Sequence, residues 1–335
     1  MGIFPKVEHD SGALSRVLQG AIPSRLLLSG IELKVFTHLI NPKSASDLAA
    51  GIGSHPENTR LFLDALVANG LLLKIDGVYR NTPATDCLLV EGGPAYIGGA
   101  LADDAEWMLA GIENLTELVV KGPPPGGRPP HSIPWSEEIL VRANRQKIEA
   151  APRSVELVRT LQEFDGMRKI LDLGCGAGLI GIAIVAAHPT MTGVLFDRPE
   201  VVAAAGRFIR ECGMEDRVTT MGGDYLTDSI GSSYDLVWAS HSIRRHDLGT
   251  ILDRVHVALN PGGVFIIISE GLTHERTRPP GMINMMLANN LYGRDSMFDQ
   301  GEVARAMLDA GFRSVQTRTI EDATHGPVTA DITRK

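Results

Sequence analysis

The sequence predicts an α/β protein whose C-terminal part is a mostly parallel β-sheet with helices on both faces, preceded by a mainly α region. After about residue 167, short apolar runs alternate with helical segments, which is typical of parallel strands buried on both faces. In the first hundred residues helical patterns dominate, and a chain of 335 residues is long enough for about two domains. We therefore expect one domain at 1–100, a helical and Pro-rich linker region at 101–150, and a second domain at 151–335.

Two helices and a hairpin follow one another in the first domain. Residues 44–50 form a short helical pattern, and residues 55–70 form a second one that Gly70 ends. Residues 71–81 contain two strand fragments around an Asp-Gly turn at 76–77. The order helix, helix, hairpin is that of a winged helix, a module that either binds DNA or packs against a partner.

Charge favours the second of these uses. Residues 1–100 contain eight Lys and Arg against nine Asp and Glu, and the second helix has Arg60 beside Glu57 and Asp64. Neutralising several DNA phosphates needs more positive charge than this, and the whole chain has a net charge of −8. We therefore expect a homodimer, with neither nucleic acid nor a membrane as a partner.

The Pro- and Gly-rich stretch 122–134 is expected to be a surface loop, because it suits neither a helix nor a central strand. Beyond it, strands are expected at Lys169–Leu173, Gly193–Asp197, Arg217–Met221, Tyr234–Ala239 and Gly263–Ser269. Helices are expected at Leu179–Ala187, Val201–Cys212 and Ile251–Leu259. This alternation gives a doubly wound sheet.

The sharpest motif is Asp172-Leu-Gly-Cys-Gly-Ala-Gly178, which directly follows the first strand and opens a helix. Its glycines permit a tight turn and let a ligand approach the backbone, with N–H groups of the helix N-terminus facing that ligand. The spacing is GxGxG, whereas a dinucleotide site has GxGxxG. Asp197 ends the second strand, where its carboxylate can accept hydrogen bonds from both hydroxyls of an adenosine ribose.

These features resemble class I S-adenosylmethionine-dependent methyltransferases, whose catalytic domain is Rossmann-like. More closely, the chain is similar to the small-molecule O-methyltransferase family of plant caffeate and bacterial natural-product enzymes, which has an N-terminal winged-helix dimerisation domain. The resemblance covers nearly the whole chain. Its marks are residues 172–178, 196–201, 223–225, 261–263 and 294–312.

The resemblance implies S-adenosylmethionine as cofactor and assigns its contacts residue by residue. Gly174 and Gly176 shape the loop under the methionine part of the cofactor. Asp197 binds the ribose, with Arg198 beside it. The remaining cofactor-binding candidates are Asp172 before the loop, Gly223, Asp224 and Tyr225 near the adenine, and Ser240 at the end of the fourth strand.

The family's general base is a His in a His-Asp-Trp segment after the fourth strand, and this chain departs from that pattern. Counting forward from Asp235 reaches Arg244, whereas counting back from Pro261 points near His241. His246 is followed by Asp and Leu and looks most like the motif, but it fits neither count. The candidates for the catalytic base are therefore His246 and His241, and either one is equally compatible with an ordinary solvated histidine.

The acceptor depends on this base. Methyl transfer is a displacement at a carbon activated by a positive sulfonium, and a hydroxyl acceptor benefits from a base that removes its proton. We expect O-methylation of a small organic acceptor. A thioether sulfur has no proton to lose, so S-methylation of a thioether acid, such as a methylthio-hydroxy acid, is an alternative that positioning alone could serve. A winged-helix regulator or a non-catalytic cofactor-binding protein is the alternative of another class.

Substrate recognition is expected from side chains between the linker and the sheet and from those after the fifth strand. Trp107, Met282 and Met286 are candidates for an apolar pocket, and the Met spacing also suits plain core packing. Arg244 and Arg294 are candidates to bind an acceptor carboxylate.

Other chemistries find no support in the sequence. There is no HExxH motif and no CxxC pair among the three cysteines, so we expect no metal. The first residues show no apolar leader, and no apolar run reaches the length of a membrane span. A cytoplasmic protein is therefore expected.

Overall fold

The computed structural model describes residues 9–127, 135–322 and 326–335, and these form two compact units divided between Ala102 and Asp103. The predicted loop 122–134 contains neither helix nor strand as far as residue 127, and its remainder lies outside the described residues. In the part of the chain that is described, no helix is both long enough and apolar enough to cross a bilayer.

The N-terminal unit is mainly helical and contains a small antiparallel sheet. Its helices are α1 (Ser11–Gln19), α2 (Ala21–Glu32), α3 (Val35–His38), α4 (Ala45–Ile52), α5 (Pro56–Ala68) and α6 (Pro83–Leu89). Its strands are β1 (Lys43–Ser44), β2 (Leu72–Ile75) and β3 (Val78–Asn81), in the order β1-β3-β2. Strands β2 and β3 join at Asp76 and Gly77, which both have positive φ, as a tight hairpin turn requires.

Tyr79 fastens this hairpin to α5. Its ring is buried, and its hydroxyl donates to Asp64 Oδ1 at 2.7 Å. Lys74 Nζ lies 2.6 Å from the same carboxylate oxygen, and Arg60 forms ion pairs with Asp64 and Glu57. The guanidinium of Arg60 is therefore bound by Glu57 and Asp64, two carboxylates of its own helix.

The described residues of the C-terminal unit form a seven-stranded sheet with helices on both faces. The strands are β4 (Lys169–Leu173), β5 (Thr192–Asp197), β6 (Val218–Gly222), β7 (Tyr234–Ser240), β8 (Leu259–Ser269), β9 (Ser314–Ile320) and β10 (Val328–Arg334). The helices, of which α7 crosses the division between the units, are α7 (Gly98–Ala110), α8 (Leu115–Lys121), α9 (Trp135–Arg145), α10 (Ala151–Arg159), α11 (Leu179–Ala186), α12 (Pro199–Glu211), α13 (Leu248–Ala258), α14 (Pro280–Leu291) and α15 (Glu302–Asp309).

The strand order is β6-β5-β4-β7-β8-β10-β9. Strand β10 pairs antiparallel with both β8 and β9, and the other described pairs are parallel. The prediction of a Rossmann-like, mostly parallel α/β fold is confirmed. Successive strand residues face opposite layers, as the pleat requires. Ile170 packs with residues of α10, α11 and α12, whereas the adjacent Leu171 packs with residues of α13 and α15. Burial on both faces explains why the strands read as unbroken apolar runs.

Strand β4 lies at the point where the strand order reverses. It has β5 on one side and β7 on the other, so that the connections leave it in opposite directions. In open parallel sheets, ligands bind at the carboxyl ends of the strands next to such a switch point. The loops after β4, β5, β6 and β7 are gathered at this edge.

A π-helical turn, Gln146–Ala150, connects α9 to α10 within one continuous helical run. Pro152 has no N–H to offer the carbonyl of Ile148, and the wider turn accommodates the proline ring. The N–H of Ala151 donates to the Gln146 carbonyl instead. The turn packs against α11, the helix that follows β4.

Candidate functional site

The glycine-rich loop after β4 turns sharply and rests on the end of β5. Gly174, Gly176 and Gly178 have φ of 77°, 55° and 75°, a region that favours glycine. The N–H groups of Gly174 and Cys175 both donate to the carbonyl of Phe196, at 2.8 and 3.0 Å. The backbone at the end of β5 therefore fixes the loop that precedes α11.

Ser242 closes the other side of this loop, and sequence reasoning missed it. A Cβ on Gly174 would lie 2.3 Å from the Cβ of Ser242, so that only glycine fits there. Ser242 Oγ donates to the carbonyl of Leu173 at 2.7 Å, and the hydroxyl of Tyr225 donates to the Ser242 carbonyl at 3.0 Å. The sequence does show Gly174, but it cannot show which distant residue packs against Gly174 and excludes a larger side chain there.

Asp197 joins three of the gathered loops. Its Oδ2 accepts from the N–H of Gly176 at 2.9 Å, and its Oδ1 accepts from the N–H of Arg198 at 2.8 Å. Its carbonyl accepts from the N–H of Gly223 at 3.0 Å. Because a carboxylate has about four acceptor positions, these two side-chain bonds leave capacity for two hydroxyl groups of a ligand.

The other predicted cofactor residues after β5 and β6 lie on either side of Asp197. Arg198 is exposed, with its guanidinium 3.4 Å from Glu200. Asp224 is exposed too, and its Oδ1 accepts from the N–H of Leu226 at 2.8 Å. Tyr225 is half-buried, and burial is the main reason that the pKa of its phenol is raised. The structure thus brings Gly174, Gly176, Asp197, Gly223, Asp224 and Tyr225 to one edge of the sheet.

Asp172 lies behind the loop rather than in front of it. Its carboxylate is buried, and Oδ2 accepts from the N–H of Gly181 in the first turn of α11 at 3.0 Å. Burial raises the pKa of Asp172 to about 7, with a smaller contribution from the charge of Asp197, while the bond from Gly181 opposes the rise. Asp172 therefore connects β4 to α11.

Ser240 ends β7 beside a narrow cleft. The cleft is lined by Ala150, Arg153, Ser154, Leu157, Trp238, Ser240, Ile268 and Ile320. The indole N–H of Trp238 is buried there and has no hydrogen-bond partner among the described residues. Arg153 is bound to Asp322 at 2.6 Å, so that one side of the cleft is held by an ion pair.

His241 is the first residue after β7, and it is paired with a carboxylate. Its backbone has φ of 51°, held by a bond from its N–H to the Ile268 carbonyl at 3.0 Å. Its Nδ1 lies 3.4 Å from Glu270 Oε1. Burial acts to raise the pKa of Glu270, but the hydrogen bond and charge of His241 and backbone N–H groups outweigh it and hold the pKa below its usual value. Glu270 is therefore an ionised carboxylate beside the imidazole.

His246 has a different environment. It lies in a short 3₁₀ turn, Arg245–Asp247, with 69% of its side chain exposed, compared with 33% for His241. Its Nε2 is 3.4 Å from Asp247 Oδ1. Arg244 is exposed next to this turn.

The predicted substrate residues are divided among the elements around α14. Met282 is buried with Leu272 and Met297 in a small apolar cluster, against which Met286 packs. Trp107 is half-buried on α7, and Arg294 is exposed after α14. Gly111, the residue directly after α7, lies against α14, because a Cβ on Gly111 would lie 2.4 Å from the Cβ of Ala288. This contact brings the helices of Trp107 and Met286 together.

The raised pKa of Asp172 predicts a pH-dependent stability of the unliganded protein. As pH rises from about 4 to about 7, the unfolded chain loses this proton while the folded chain keeps it, so the contribution to stability is present below pH 4 and lost by pH 7. We expect Asp172→Asn to remove a slope of up to about 1.4 kcal/mol per pH unit from the free energy of unfolding. Urea unfolding over this pH range measures it. The exposed Asp253→Asn on α13 is the control, and equal slopes in both variants would contradict the assignment.

Comparison with known proteins identifies the family. Residues 140–313 match the O-methyltransferase domain, and residues 15–91 match the O-methyltransferase dimerisation domain. The chain is 30% identical to the N,N-dimethyltransferase OxyT of Streptomyces rimosus, over 89% of this chain and 90% of that protein. It is also 30% identical to the tetracenomycin polyketide synthesis 8-O-methyl transferase TcmO of Streptomyces glaucescens, over 93% of each.

A solved structure shows the same fold. The structure of human N-acetylserotonin methyltransferase in complex with S-adenosylmethionine superposes with a TM-score of 0.77 at 21% identity, covering 99% of both chains. The chain therefore belongs to the S-adenosylmethionine-dependent O-methyltransferase family.

Proposed function

We propose that this methyltransferase acts on a hydroxyl oxygen of a small organic acceptor, with His241 as its general base. The observation on which the proposal depends is the pairing of His241 with the ionised Glu270. His241 comes three residues after Trp238 and directly before Ser242, which lies against Gly174 of the glycine loop. The two curated relatives are named for nitrogen and oxygen acceptors, which have a proton to lose, and neither name supports the thioether alternative. Membership in an enzyme family also favours a catalyst over a regulator.

The residues at the edge of the sheet fit the cofactor of this family. When bound, S-adenosylmethionine supplies a methyl group on a positively charged sulfur. Beside Gly176 there is room, since a Cβ built there would meet nothing nearer than Gln146 Nε2 at 3.7 Å. We assign Gly174 and Gly176 to the methionine part and Asp197 to the ribose, because its carboxylate has two acceptor positions left. The remaining contacts are proposed for Arg198, Gly223, Asp224, Tyr225 and Ser240, whereas Asp172 is proposed to support the cofactor loop from behind through its bond to Gly181.

His241 is better suited than His246 to remove a proton. A hydrogen bond donated by His241 Nδ1–H to Glu270 favours the tautomer whose basic nitrogen is Nε2. The carboxylate then stabilises the imidazolium that forms when Nε2 takes a proton. The left-handed backbone of His241 is a local strain of the kind that functional sites hold. His246 is 69% exposed, compared with 33% for His241, and its carboxylate partner is Asp247, the adjacent residue of the same 3₁₀ turn.

The acceptor is proposed to bind where α7 meets α14. Trp107 and Met286 supply apolar surface, and Met282 supports Met286 from the buried cluster. Arg244 and Arg294 are exposed and are proposed to bind an anionic group of the acceptor.

The N-terminal unit is proposed to be a winged helix that forms a homodimer. Helix α1 buries none of its residues, and Leu14, Val17 and Leu18 are 77%, 79% and 80% exposed. Exposed apolar residues clustered on one helix mark a protein contact. The match to the dimerisation domain supports a second copy of this chain as the partner. The cytoplasm remains the expected compartment, and the free cysteines Cys87, Cys175 and Cys212 suit a reducing environment.

Replacement of Asp197 tests the cofactor site. We expect Asp197→Ala to weaken the binding of S-adenosylhomocysteine by about 100-fold or more, because hydrogen bonds to a charged group from two hydroxyls are lost. Titration calorimetry measures this. The exposed Asp216→Ala is a control that should bind normally, and unchanged binding by Asp197→Ala would refute the ribose assignment.

Replacement of each histidine tests the base. We expect His241→Asn to lower kcat by about 100- to 10,000-fold with phenolic acceptors found by screening, with little effect on S-adenosylhomocysteine binding. Glu270→Gln should lower kcat in the same direction, and His246→Asn should stay near the unmodified rate. Turnover of a thioether acid that survives His241→Asn, with no turnover of hydroxyl acceptors, would instead establish S-methylation.

Replacement of Leu18 tests the dimer. We expect Leu18→Asp to convert a dimer to a monomer at micromolar concentration, because it places a charge in the apolar contact. Light scattering gives the mass of each. Val257→Asp, at an equally exposed apolar residue on α13, should leave the dimer intact. A monomeric unmodified protein would overturn the proposal.

A further inference from the structure

Gln146 presents an unsatisfied hydrogen-bonding group beside the glycine loop. It is the first residue of the π-helical turn, and its Nε2 is the nearest atom to a Cβ built on Gly176. Its Oε1 is buried and has no hydrogen-bond partner within the described part of the chain. A buried carbonyl oxygen without a donor costs free energy unless a ligand supplies one.

The residues on either side of Gln146 are held in other directions. Arg145 Nη1 is 2.6 Å from Asp104 Oδ2, in an ion pair that is almost buried. Lys147 Nζ lies 5.0 Å from the ring centroid of Phe208 on α12. Since both neighbours are fixed away from the loop, the backbone that directs Gln146 towards Gly176 is itself fixed.

The first three N–H groups of the loop facing Gln146 are already used as donors. The N–H groups of Gly174 and Cys175 bind the Phe196 carbonyl, and that of Gly176 binds Asp197. A ligand group placed between this loop and Gln146 Oε1 therefore meets acceptor atoms, close to the carboxylate of Asp197. Such a setting selects a positively charged donor rather than an anion.

We propose that Gln146 Oε1 accepts a hydrogen bond from the ammonium group of the methionine part of the cofactor. The inference rests on the proposed placing of Gly174 and Gly176 beneath that part. Gln146 then distinguishes a cofactor that has its α-amino group from an adenosine thioether that lacks it. It acts on binding, with no share in the proton transfer assigned to His241.

Calorimetry with three ligands tests this assignment. The probes are S-adenosylhomocysteine, its desamino analogue, which keeps the carboxylate, and 5′-methylthioadenosine, which lacks the whole amino-acid part. We expect Gln146→Leu to weaken S-adenosylhomocysteine about 10- to 100-fold and to leave the other two affinities unchanged. Gln146→Glu should retain the affinity for S-adenosylhomocysteine, because a carboxylate also accepts from an ammonium group. Gln162→Leu, at an exposed glutamine after α10, is the matched control.

Each remaining outcome has a separate meaning. Equal weakening of all three ligands in Gln146→Leu would show a purely structural effect and overturn the inference. Weakening of the desamino analogue together with S-adenosylhomocysteine would place Gln146 on the carboxylate and overturn it too, as would full binding of S-adenosylhomocysteine by this variant. If the unmodified protein bound none of the three, the proposed cofactor site itself would fail.

Discussion

The contact between Gly174 and Ser242 is the constraint on which the arrangement of the site depends. It allows the loop after β4 to lie directly against the segment after β7, and Ser242 locks the two by donating to Leu173. Tyr225 adds the segment after β6 through its bond to the Ser242 carbonyl. Because His241 immediately precedes Ser242, the contact that shapes the cofactor loop also fixes the start of the segment with the proposed base.

Three carboxylates near this edge show how environment assigns different tasks to one chemical group. Asp172 is fully buried, and its burial raises its pKa to about 7. Its hydrogen bond from Gly181 links β4 to α11. Asp197 is only half-buried and holds two backbone N–H groups while keeping acceptor positions for a ligand. Glu270 is kept ionised by the neighbouring imidazole and backbone N–H groups, and it orients that imidazole. Burial alone separates the first from the second, whereas Glu270 is largely buried too and differs from Asp172 because an imidazole and backbone N–H groups offset its burial.

Much of the fold could be predicted from the sequence, because the signals are local. Mostly apolar runs marked β4, β5, β7 and β8, and the GxGxG spacing placed the ligand loop directly after β4. The antiparallel strands β9 and β10 were not predicted from the sequence. Strand β9 is mostly exposed and gives no apolar run, and no recognisable motif lies next to β10 in the sequence. The choice between His241 and His246 depended on the length of an irregular segment and on Glu270, which directly follows β8. Ser242 and Gln146 likewise matter only through neighbours that are distant in sequence.

The exposure of helix α1 affects how the stability of the N-terminus depends on association. It is nine residues long and buries none of them within its own chain. A helix of this length is only marginally stable alone in water, and α1 is continued into α2 through Gly20, so a packing surface on a second chain adds to the support that α2 gives it. In the proposed dimer, the coil-to-helix transition of α1 is coupled to the association of two chains, and helical content depends on protein concentration. Dilution is therefore expected to lower the helical content of the N-terminus as well as to separate the chains.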